Sequence, residues 1–542
     1  MFSCSQFKGI APKIAAHLLP EGMAQVATDC RLYSGKIKPL RDLSVASGIS
    51  VVAGAKSFFP YSSSVWLSAA ERTDYARSPI ANDSWDRLYA TKNEPGGADY
   101  PVMRTNEGST WYRLGIPAPT AAPTIAKSGT PTSEDEIDME TWVFVYTYVS
   151  AYGEEGPPSP PASIDVYPGE TANLSALQTG PAGAYNLSAK NIYRLNRGSD
   201  GSDYQLSGTV DLAVTAYDDS TPSADLSLTL LVSTEWDMPP TALTGLRVHP
   251  AGFLVGFVAE GRDLCFSMPY LPHAWPTSYR IPFKEKIVAV EIFGTSILVL
   301  TEGAPHVVTG ADPEAMSDEQ IEHGEACIER NAVVDMGEVV IYPTSSGLMA
   351  IGVGFGPKLI TEAMMSRDEW SPYTTTMQAW QDGNNYILFC ASPATGIYGL
   401  ILDFANQTVT THGITGTCLA GYYDSAGGRL LLHQNTADTG VKQWDGGTER
   451  SWIWKSRKLR MPEPGNVSCA IVLAEDYDDG GSVDLTAKIY ADGVLKHTQS
   501  VGSGEFFWLP SGFVARDWEF EVVGNVTVTA IALAMAPQDL LK

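Results

Sequence analysis

The sequence lacks both long hydrophobic runs and a secretion signal. A membrane-spanning helix needs roughly 18 consecutive apolar residues, and the best apolar stretch, Ile287 to Leu300, is interrupted by Glu291 and Gly294. The N-terminus, Met1 to Ile10, has no basic segment followed by an apolar one. We therefore expect the protein to be made and folded in a cytoplasm.

Cysteine is sparse, and its spacing excludes two common structural roles. There are seven cysteines, an odd number, and no two form a CxxC pair. A disulfide framework and a zinc knuckle are therefore both disfavoured. We expect most of these cysteines to be small buried hydrophobic residues.

Enzyme motifs are also missing. We find no nucleophile elbow, phosphate-binding loop, HExxH sequence or dinucleotide fingerprint. The eight histidines are isolated, without HxH or HxxxH spacing, which disfavours a histidine metal site. A glycosidase needs only two carboxylates at the correct separation, and such a pair cannot be identified from sequence. We predict a protein that is not an enzyme and has no cofactor.

Positive charge is scarce, and its distribution is uneven. The 542 residues carry 36 Lys and Arg against 62 Asp and Glu, a net charge of -26, which argues against ordinary DNA binding through phosphate neutralisation. Residues 1–117 have a net charge of +3, from 13 basic and 10 acidic side chains. Residues 118–236 have 4 basic and 16 acidic side chains, a net charge of -12. Residues 237–542 have 19 basic and 36 acidic side chains, a net charge of -17. All the net acidity therefore lies after residue 117.

The residues that are present in quantity indicate short strands and tight turns. The Pro- and Ala-rich segment Pro117 to Pro123 is incompatible with a helix and predicts a domain boundary. After it, Trp142 to Val149 and Asn191 to Leu195 read as strands separated by polar turns, as in a β-sandwich. The run YTYVSAYGEEGPPSPP resembles a fibronectin type III strand and turn, so residues 118–232 are predicted to be an inserted fibronectin III-like module.

From residue 242 onward, strand signals recur about every 10 to 12 residues and are followed by Gly, Asn or Asp turns. Examples are Gly252 to Phe257, Asn385 to Phe389 and Arg429 to His433. Groups of strands returning about every 40 to 50 residues favour propeller blades, with a stacked sandwich as the alternative. The one helix of note is predicted near Pro20 to Cys30, with Glu21 in its first turn.

The predicted fold class is thus all-β: a β-propeller body, an inserted sandwich and a C-terminal β-sandwich. The predicted boundaries are 1–117 for an N-terminal arm and first propeller strands, 118–232 for the insertion, 233–460 for the rest of the propeller, and 461–542 for the C-terminal sandwich. Period-2 alternation in Val483 to Tyr490 and Val526 to Leu533 supports the last of these units.

Two acidic clusters and a group of tryptophans are the candidate sites. The loop Glu475 to Asp484 reads as either a solvated hairpin turn or a calcium site, although it lacks EF-hand spacing. A second cluster reads as either a solvated surface or a surface that repels DNA phosphate; it comprises Asp312, Glu314, Asp318, Glu319, Glu322, Glu325 and Glu329. Four tryptophans could bind sugars, but such residues are more often core or interface in β-proteins; they are Trp444, Trp452, Trp454 and Trp508.

Several segments resemble those of bacteriophage virion proteins. FKGIAPKIAAHLLPEGMAQVATDCRLYSGKIKPLRD (Phe7 to Asp42) is similar to the start of many phage tail proteins, with the form "A…A.NC.L.SG.L.PLR". Ser78 to Tyr89, Thr301 to Gly310 and Leu509 to Gly524 resemble further segments of the same proteins. Among these proteins, an acidic, propeller-containing chain of this size resembles the tail nozzle, or tail tubular protein B, of short-tailed phages.

That resemblance implies a structural role. A nozzle is expected to be a homohexameric ring below the tail adaptor protein, to enclose the DNA ejection channel, and to contact tail fibres and the host cell envelope. It would be located in the virion and synthesised in the host bacterial cytoplasm. Acidic residues 312–325 would then line the lumen and let double-stranded DNA pass without binding. The fibronectin-like insertion departs from the best-known nozzles. A receptor- or glycan-binding tail protein and a propeller glycosidase remain the alternatives.

Overall fold

The computed structural model describes residues 2–32, 34–92, 100–198, 201–352, 354–390, 397–434, 437–475, 484–502 and 504–540. Strands account for 48% of the chain and helices for 5%, which confirms the all-β class. The chain divides into two compact units. Unit 1 comprises Met1–Glu71, Leu300–Pro305 and Gln320–Lys542, and unit 2 comprises Arg72–Val299 and His306–Glu319.

The strands follow one another at short intervals along the whole chain. Up to residue 117 they are β1 Phe2–Cys4, β2 Ala24–Thr28, β3 Cys30–Arg31, β4 Lys38–Pro39, β5 Ser44–Ser50, β6 Ser57–Pro60, β7 Trp66–Ala69, β8 Thr73–Arg77, β9 Leu88–Lys92, β10 Val102–Arg104 and β11 Tyr112–Arg113. From 118 to 232 they are β12 Thr124–Gly129, β13 Glu140–Ser150, β14 Ala162–Val166, β15 Glu170–Ser175, β16 Leu187–Gly198, β17 Gly201–Asp211 and β18 Tyr217–Asp219.

The remaining strands begin at residue 243. Up to residue 359 they are β19 Leu243–His249, β20 Phe253–Val258, β21 Asp263–Phe266, β22 Arg280–Pro282, β23 Ile287–Phe293, β24 Ser296–Thr301, β25 His306–Thr309, β26 Ser317–Gln320, β27 Val334–Asp335, β28 Val339–Pro343, β29 Leu348–Gly352 and β30 Pro357–Leu359. Beyond it they are β31 Gln378–Asp382, β32 Asn385–Phe389, β33 Gly399–Asp403, β34 Thr408–His412, β35 Ala420–Asp424, β36 Arg429–His433, β37 Gly440–Gln443, β38 Trp452–Ser456, β39 Leu459–Gly465, β40 Cys469–Ala474, β41 Leu485–Ala491, β42 Val494–Ser500, β43 Phe507–Trp508, β44 Ala515–Gly524 and β45 Val528–Ala534.

Helices are short. The α-helix α1 covers Arg367–Trp370, and 3₁₀ helices cover Glu136–Asp138, Ser223–Asp225, Pro313–Ala315, Arg330–Ala332, Ser371–Thr374 and Pro537–Asp539. The helix predicted near Pro20 to Cys30 is wrong, because Ala24–Thr28 is a strand that pairs with β38 and, at Thr28, with β34. In the part of the chain that the structure describes, no helix is long and apolar enough to cross a membrane.

Unit 2 contains three four-stranded antiparallel sheets in sequence order: β8–β11, β19–β22 and β23–β26. Residues 118–232 add two more sheets, β12-β15-β18 and β14-β13-β16-β17. Both of these sheets supply side chains to one core, with Phe144 and Ile192 from the larger sheet and Leu174 from the smaller. Two antiparallel sheets with alternate side chains in a shared core form a sandwich.

A buried ion cluster joins the 118–232 segment to the flanking sheets of unit 2. Arg87 Nε donates to Asp83 Oδ2 at 2.7 Å, and Arg87 Nη1 donates to Glu154 Oε1 at 2.8 Å. All three side chains are 5–7% exposed. His273 lies beside Glu154, and burial and the charge of Arg87 lower the pKa of this histidine to about 4, so it is neutral at pH 7. Arg87 therefore supplies the positive charge that compensates both carboxylates.

Unit 1 contains the sheets β27–β30 and β35-β36-β37-β5 and one larger sheet. The larger sheet runs β31-β32-β33-β34-β2-β38-β44-β41-β42, with β39 also paired to β44. A further sheet, β1-β45-β40-β43, brings Phe2–Cys4 against Val528–Ala534. The N-terminal segments thus complete sheets whose other strands come from the C-terminal part of the chain. The seven cysteines are free, and all of them are buried, in agreement with the prediction that most would be.

Candidate functional site

The predicted acidic site begins on the edge of the β23–β26 sheet in unit 2. Strand β26 exposes all four of its side chains, including Asp318 and Glu319. Just before it, the 3₁₀ helix Pro313–Ala315 is capped by Asp312, whose carboxylate accepts from the backbone N–H of Glu314 at 3.1 Å. Pro313 is buried and fixes this turn, while Asp312 and Glu314 stay exposed. Four of the predicted acids therefore occupy one edge region.

Most of these carboxylates have no compensating cation. Within the described ranges, Asp312, Glu314 and Glu319 form no ion pair with Lys or Arg. Asp318 contacts His306, with Oδ1 2.9 Å from Nδ1. Burial first, and then the charges of Glu314, Asp312 and Glu235, raise the pKa of Tyr279. Glu235 thus belongs to the same negative region of unit 2, which the sequence analysis did not recognise because Glu235 is far from it in sequence.

The other three predicted acids are Glu322, Glu325 and Glu329. Glu322 and Glu325 belong to unit 1, where Glu322 is exposed and Glu325 is half-buried. The backbone carbonyl of Glu325 accepts from the Tyr342 hydroxyl at 3.3 Å. Glu329 caps the 3₁₀ helix Arg330–Ala332 by accepting from Asn331 N at 3.0 Å. Four of the seven predicted acids therefore lie together in unit 2, and Glu329 has a structural role as a cap.

The acidic loop predicted as a possible calcium site lies mostly outside the described residues, which omit 476–483. Its first residue, Glu475, pairs with Lys36, and this hydrogen bond lowers the pKa of the carboxyl. Across the described ranges, no group of three or more His, Cys, Asp or Glu side chains is arranged to hold a metal ion.

The tryptophans divide into two groups. Trp444, Trp452 and Trp454 are at most 4% exposed and belong to hydrophobic cores, so they offer no ring face to a sugar. Trp508 is 61% exposed and packs edge-on against Phe506, with ring centroids 5.5 Å apart. Of the four, Trp508 alone retains a solvent-accessible indole.

A cavity in unit 1 is lined by charged side chains that no sequence motif connects. It has a volume of about 310 Å³ and lies among β3, β31–β34 and the segment after β37. Its charged lining consists of Arg31, Asp382, Asp403 and Asp445. No local motif reveals this group, because Arg31 is separated from Asp382 by more than 300 residues and the strand pairing of the N-terminal segment creates the cavity.

Asp445 and Asp382 have different environments in this cavity. Asp445 accepts from Arg31 Nη1 at 2.6 Å and from the backbone N–H of Arg41 at 2.7 Å. The Asp382 carboxylate forms no hydrogen bond with the described residues. Burial and the nearby Asp445 charge raise the pKa of Asp382 to about 6, against the opposing charge of Arg31. Raised carboxyl pKa values in a cavity are typical of functional sites.

Replacement of Asp382 by asparagine is expected to stabilise unit 1 at pH 8. The pKa of this carboxyl is 3.8 ordinarily and about 6 in the folded protein, so the ionised form opposes folding above pH 6. The penalty is relieved as pH falls from 6 towards 3.8. Each pKa unit corresponds to about 1.4 kcal/mol, so the free energy of unfolding should rise by up to about 3 kcal/mol at pH 8.

Urea unfolding of Asp382→Asn at pH 8 and pH 4 checks this expectation, because most of the gain should be lost at pH 4. Glu463→Gln, an exposed carboxylate on β39, is the control and should change the free energy of unfolding at neither pH. An equal gain at both pH values would contradict the assigned ionisation.

Comparison with known proteins identifies no family. No family model matches the chain, and no curated protein is similar to it in sequence. The extracellular domain of a putative hybrid two-component system from B. thetaiotaomicron aligns at 8% identity and a TM-score of 0.29, covering 92% of this chain and 78% of that one. A functionally unknown protein from Desulfotomaculum acetoxidans aligns at 8% identity and a TM-score of 0.26, covering 69% of this chain and 88% of that one. Similarities this low carry no argument about function.

Proposed function

We propose that this protein is a structural subunit of a phage tail nozzle or hub, which forms a ring around a DNA channel. The proposal rests on the sequence segments that resemble phage virion proteins. The structural observation that supports it is the exposed acidic edge around β26, where three carboxylates have no Lys or Arg partner in the described residues. A surface of this charge repels DNA phosphate, so a duplex can slide past without being held.

The proposed architecture is a β-propeller in which the sheets β8–β11, β19–β22, β23–β26, β27–β30 and β35-β36-β37-β5 are blades. The first four of these sheets each consist of four consecutive strands, as propeller blades do. The sheet β35-β36-β37 takes its fourth strand, β5, from the N-terminal segment, with Ser44 opposite Gln443. Pairing of distant chain segments within one blade is how propellers commonly close their ring and protect sheet edges.

Negative-stain electron microscopy of the purified full-length chain tests the assembly. Six-fold rings or tubes are the expected result, and a stable monomer at all concentrations would contradict the proposal. The position and copy number of the protein in the intact particle provide a second test, because a nozzle subunit should be present as one ring at the tail.

Charge reversal should convert the acidic edge into a DNA-retaining surface. In the triple variant Asp312→Lys, Glu314→Lys, Glu319→Lys, three negative charges become positive, and the assembled protein should retain double-stranded DNA at low salt and release it as salt rises. The wild-type protein should not retain DNA. Electrophoretic mobility shifts over a salt series measure the effect.

The matched control reverses three exposed acids in the 118–232 segment: Glu134→Lys, Asp135→Lys and Glu136→Lys. This control has the same net charge as the triple variant. If it retains DNA equally well, net charge explains the effect and the β26 edge does not face the channel.

A further inference from the structure

The lining of the unit 1 cavity is partly apolar and partly polar. Leu40, Ile387 and Ile401 line it and are at most 9% exposed. Among its polar lining residues, Asn384 is exposed, and Asp382 and Asn385 are half-buried. The lining therefore combines a hydrophobic surface with hydrogen-bonding groups that are accessible from solvent.

These polar groups have unused hydrogen-bonding capacity. Arg31 donates through Nε to the Pro39 carbonyl and through Nη1 to Asp445, and its Nη2 donates to none of the described residues. In the part of the chain that the structure describes, the side chains of Asp382, Asn384 and Asn385 form no hydrogen bond with protein. The cavity thus offers a free acceptor in Asp382, free donors in Arg31, and both kinds of group in the two amides.

This combination distinguishes between ligand classes. An anion would face Asp382, Asp403 and Asp445 with Arg31 as the one basic side chain of the lining. A metal ion would need a set of ligating side chains that the described residues do not form. A simple cation would use the carboxylates and make no use of the donors of the two amides and Arg31. A hydroxyl group both donates and accepts, so a polyhydroxylated neutral molecule can pair with both the acceptors and the donors of this lining.

The size of the cavity limits the ligand further. Ligand pockets usually have volumes from about 300 to 1,000 Å³, so a cavity of about 310 Å³ suits a single ring rather than an extended chain. The apolar side chains of the lining can contact the C–H face of a sugar ring. We propose that this cavity binds one residue of a neutral saccharide, with Asp382, Asn385 and Arg31 hydrogen-bonding its hydroxyls. The inference goes beyond the proposed tail function and does not depend on it.

Saturation-transfer NMR of the full-length protein tests the proposal with four separate probes: glucose, galactose, N-acetylglucosamine and methylguanidinium. At least one of the three sugars should receive saturation from the wild-type protein, and methylguanidinium should not compete with it. The variant Asp382→Leu should weaken sugar binding by at least about tenfold, because it removes a charged acceptor. The second variant, Asn385→Leu, should also weaken it.

Glu463→Gln is the control and should bind the sugar as the wild type does. Thermal melts of each variant establish that it is folded. Asp382→Asn, which is expected to be stable, is a second substitution at position 382 in case Asp382→Leu does not fold. Absence of a signal from every sugar would overturn the proposal. Equal sugar binding by Asp382→Leu and Asn385→Leu would also overturn it, and so would binding of methylguanidinium alone, which would identify a cation site.

Discussion

Replacement of Arg87 by methionine is expected to lower the free energy of unfolding of unit 2 by about 3–5 kcal/mol, the range observed when one partner of a buried ion pair is removed. The guanidinium bonds two carboxylates, on Asp83 and Glu154, that are almost fully buried. Methionine keeps much of the side-chain volume and removes the charge. The two carboxylates would then be close together in a region of low dielectric constant without a cation.

The expected loss depends on pH. Burial already raises the pKa of Glu154 although Arg87 opposes this effect. Burial opposes the lowering of the pKa of Asp83, which the hydrogen bond from Arg87 favours. Without Arg87 the pKa of Glu154 should rise further and that of Asp83 should rise as well, so protonation in mild acid relieves part of the penalty. The destabilisation by Arg87→Met should therefore be larger at pH 8 than at pH 5. Hydrogen exchange of β8–β11, β13 and β19–β22 as a function of denaturant measures it.

Arg77→Met is the matched control, because Arg77 precedes the same turn and its ion pair with Asp86 is 42–50% exposed. Exposed pairs contribute about 0–1 kcal/mol. The triple variant Arg87→Met, Asp83→Asn, Glu154→Gln should recover part of the lost stability, since no buried charge remains uncompensated. If Arg87→Met were no more destabilising than Arg77→Met, the cluster would not hold the 118–232 segment in place.

Much of the strand pattern could be predicted because it is encoded locally. Asn385 to Phe389 and Arg429 to His433 are strands with the predicted boundaries, since apolar runs between turn residues indicate buried strands. Trp142 to Val149 lies inside β13, whose large side chains form the core of the 118–232 segment. In these regions, local sequence preference and burial agree.

The failures involve pairing between distant parts of the chain. Near Pro20 to Cys30, Glu21 at a potential first turn suggested a helix, but Ala27 pairs with Trp454 and Thr28 with Ile453. Tertiary pairing overrides local preference here, because β2 is hydrogen-bonded to β38 and, at Thr28, to β34. The cavity was missed for the same reason, because Arg31 meets Asp445 only after the N-terminal segment joins the C-terminal sheets. Of the predicted acidic cluster, Asp318 and Glu319 are exposed on β26, whereas Glu329 is a structural cap.

Replacement of Asp219 by alanine should have an effect of similar size within residues 118–232. Arg194 Nη1 donates to Asp219 Oδ2 at 2.7 Å, and both side chains are fully buried. The guanidinium also lies 3.8 Å from the ring centroid of Trp142. Its Nε and Nη2 have no hydrogen-bond partner in the described part of the chain. Asp219 therefore supplies the negative charge that compensates the buried guanidinium. Its removal should lower the free energy of unfolding by about 3–5 kcal/mol.

The neighbouring residue provides the control. Asp218 is exposed and accepts from Asn173 Nδ2 at 2.7 Å, so Asp218→Ala should cost no more than about 1 kcal/mol. Hydrogen exchange should show faster opening of β13, β16 and β18 in Asp219→Ala and wild-type protection in Asp218→Ala. The double variant Asp219→Leu, Arg194→Met should regain most of the lost stability, because an apolar pair can replace a buried ion pair. Wild-type protection in Asp219→Ala would mean that Trp142 and surrounding backbone groups stabilise Arg194 without the carboxylate. A double variant as unstable as Asp219→Ala would show that packing, and not the uncompensated charge, determines the loss of stability.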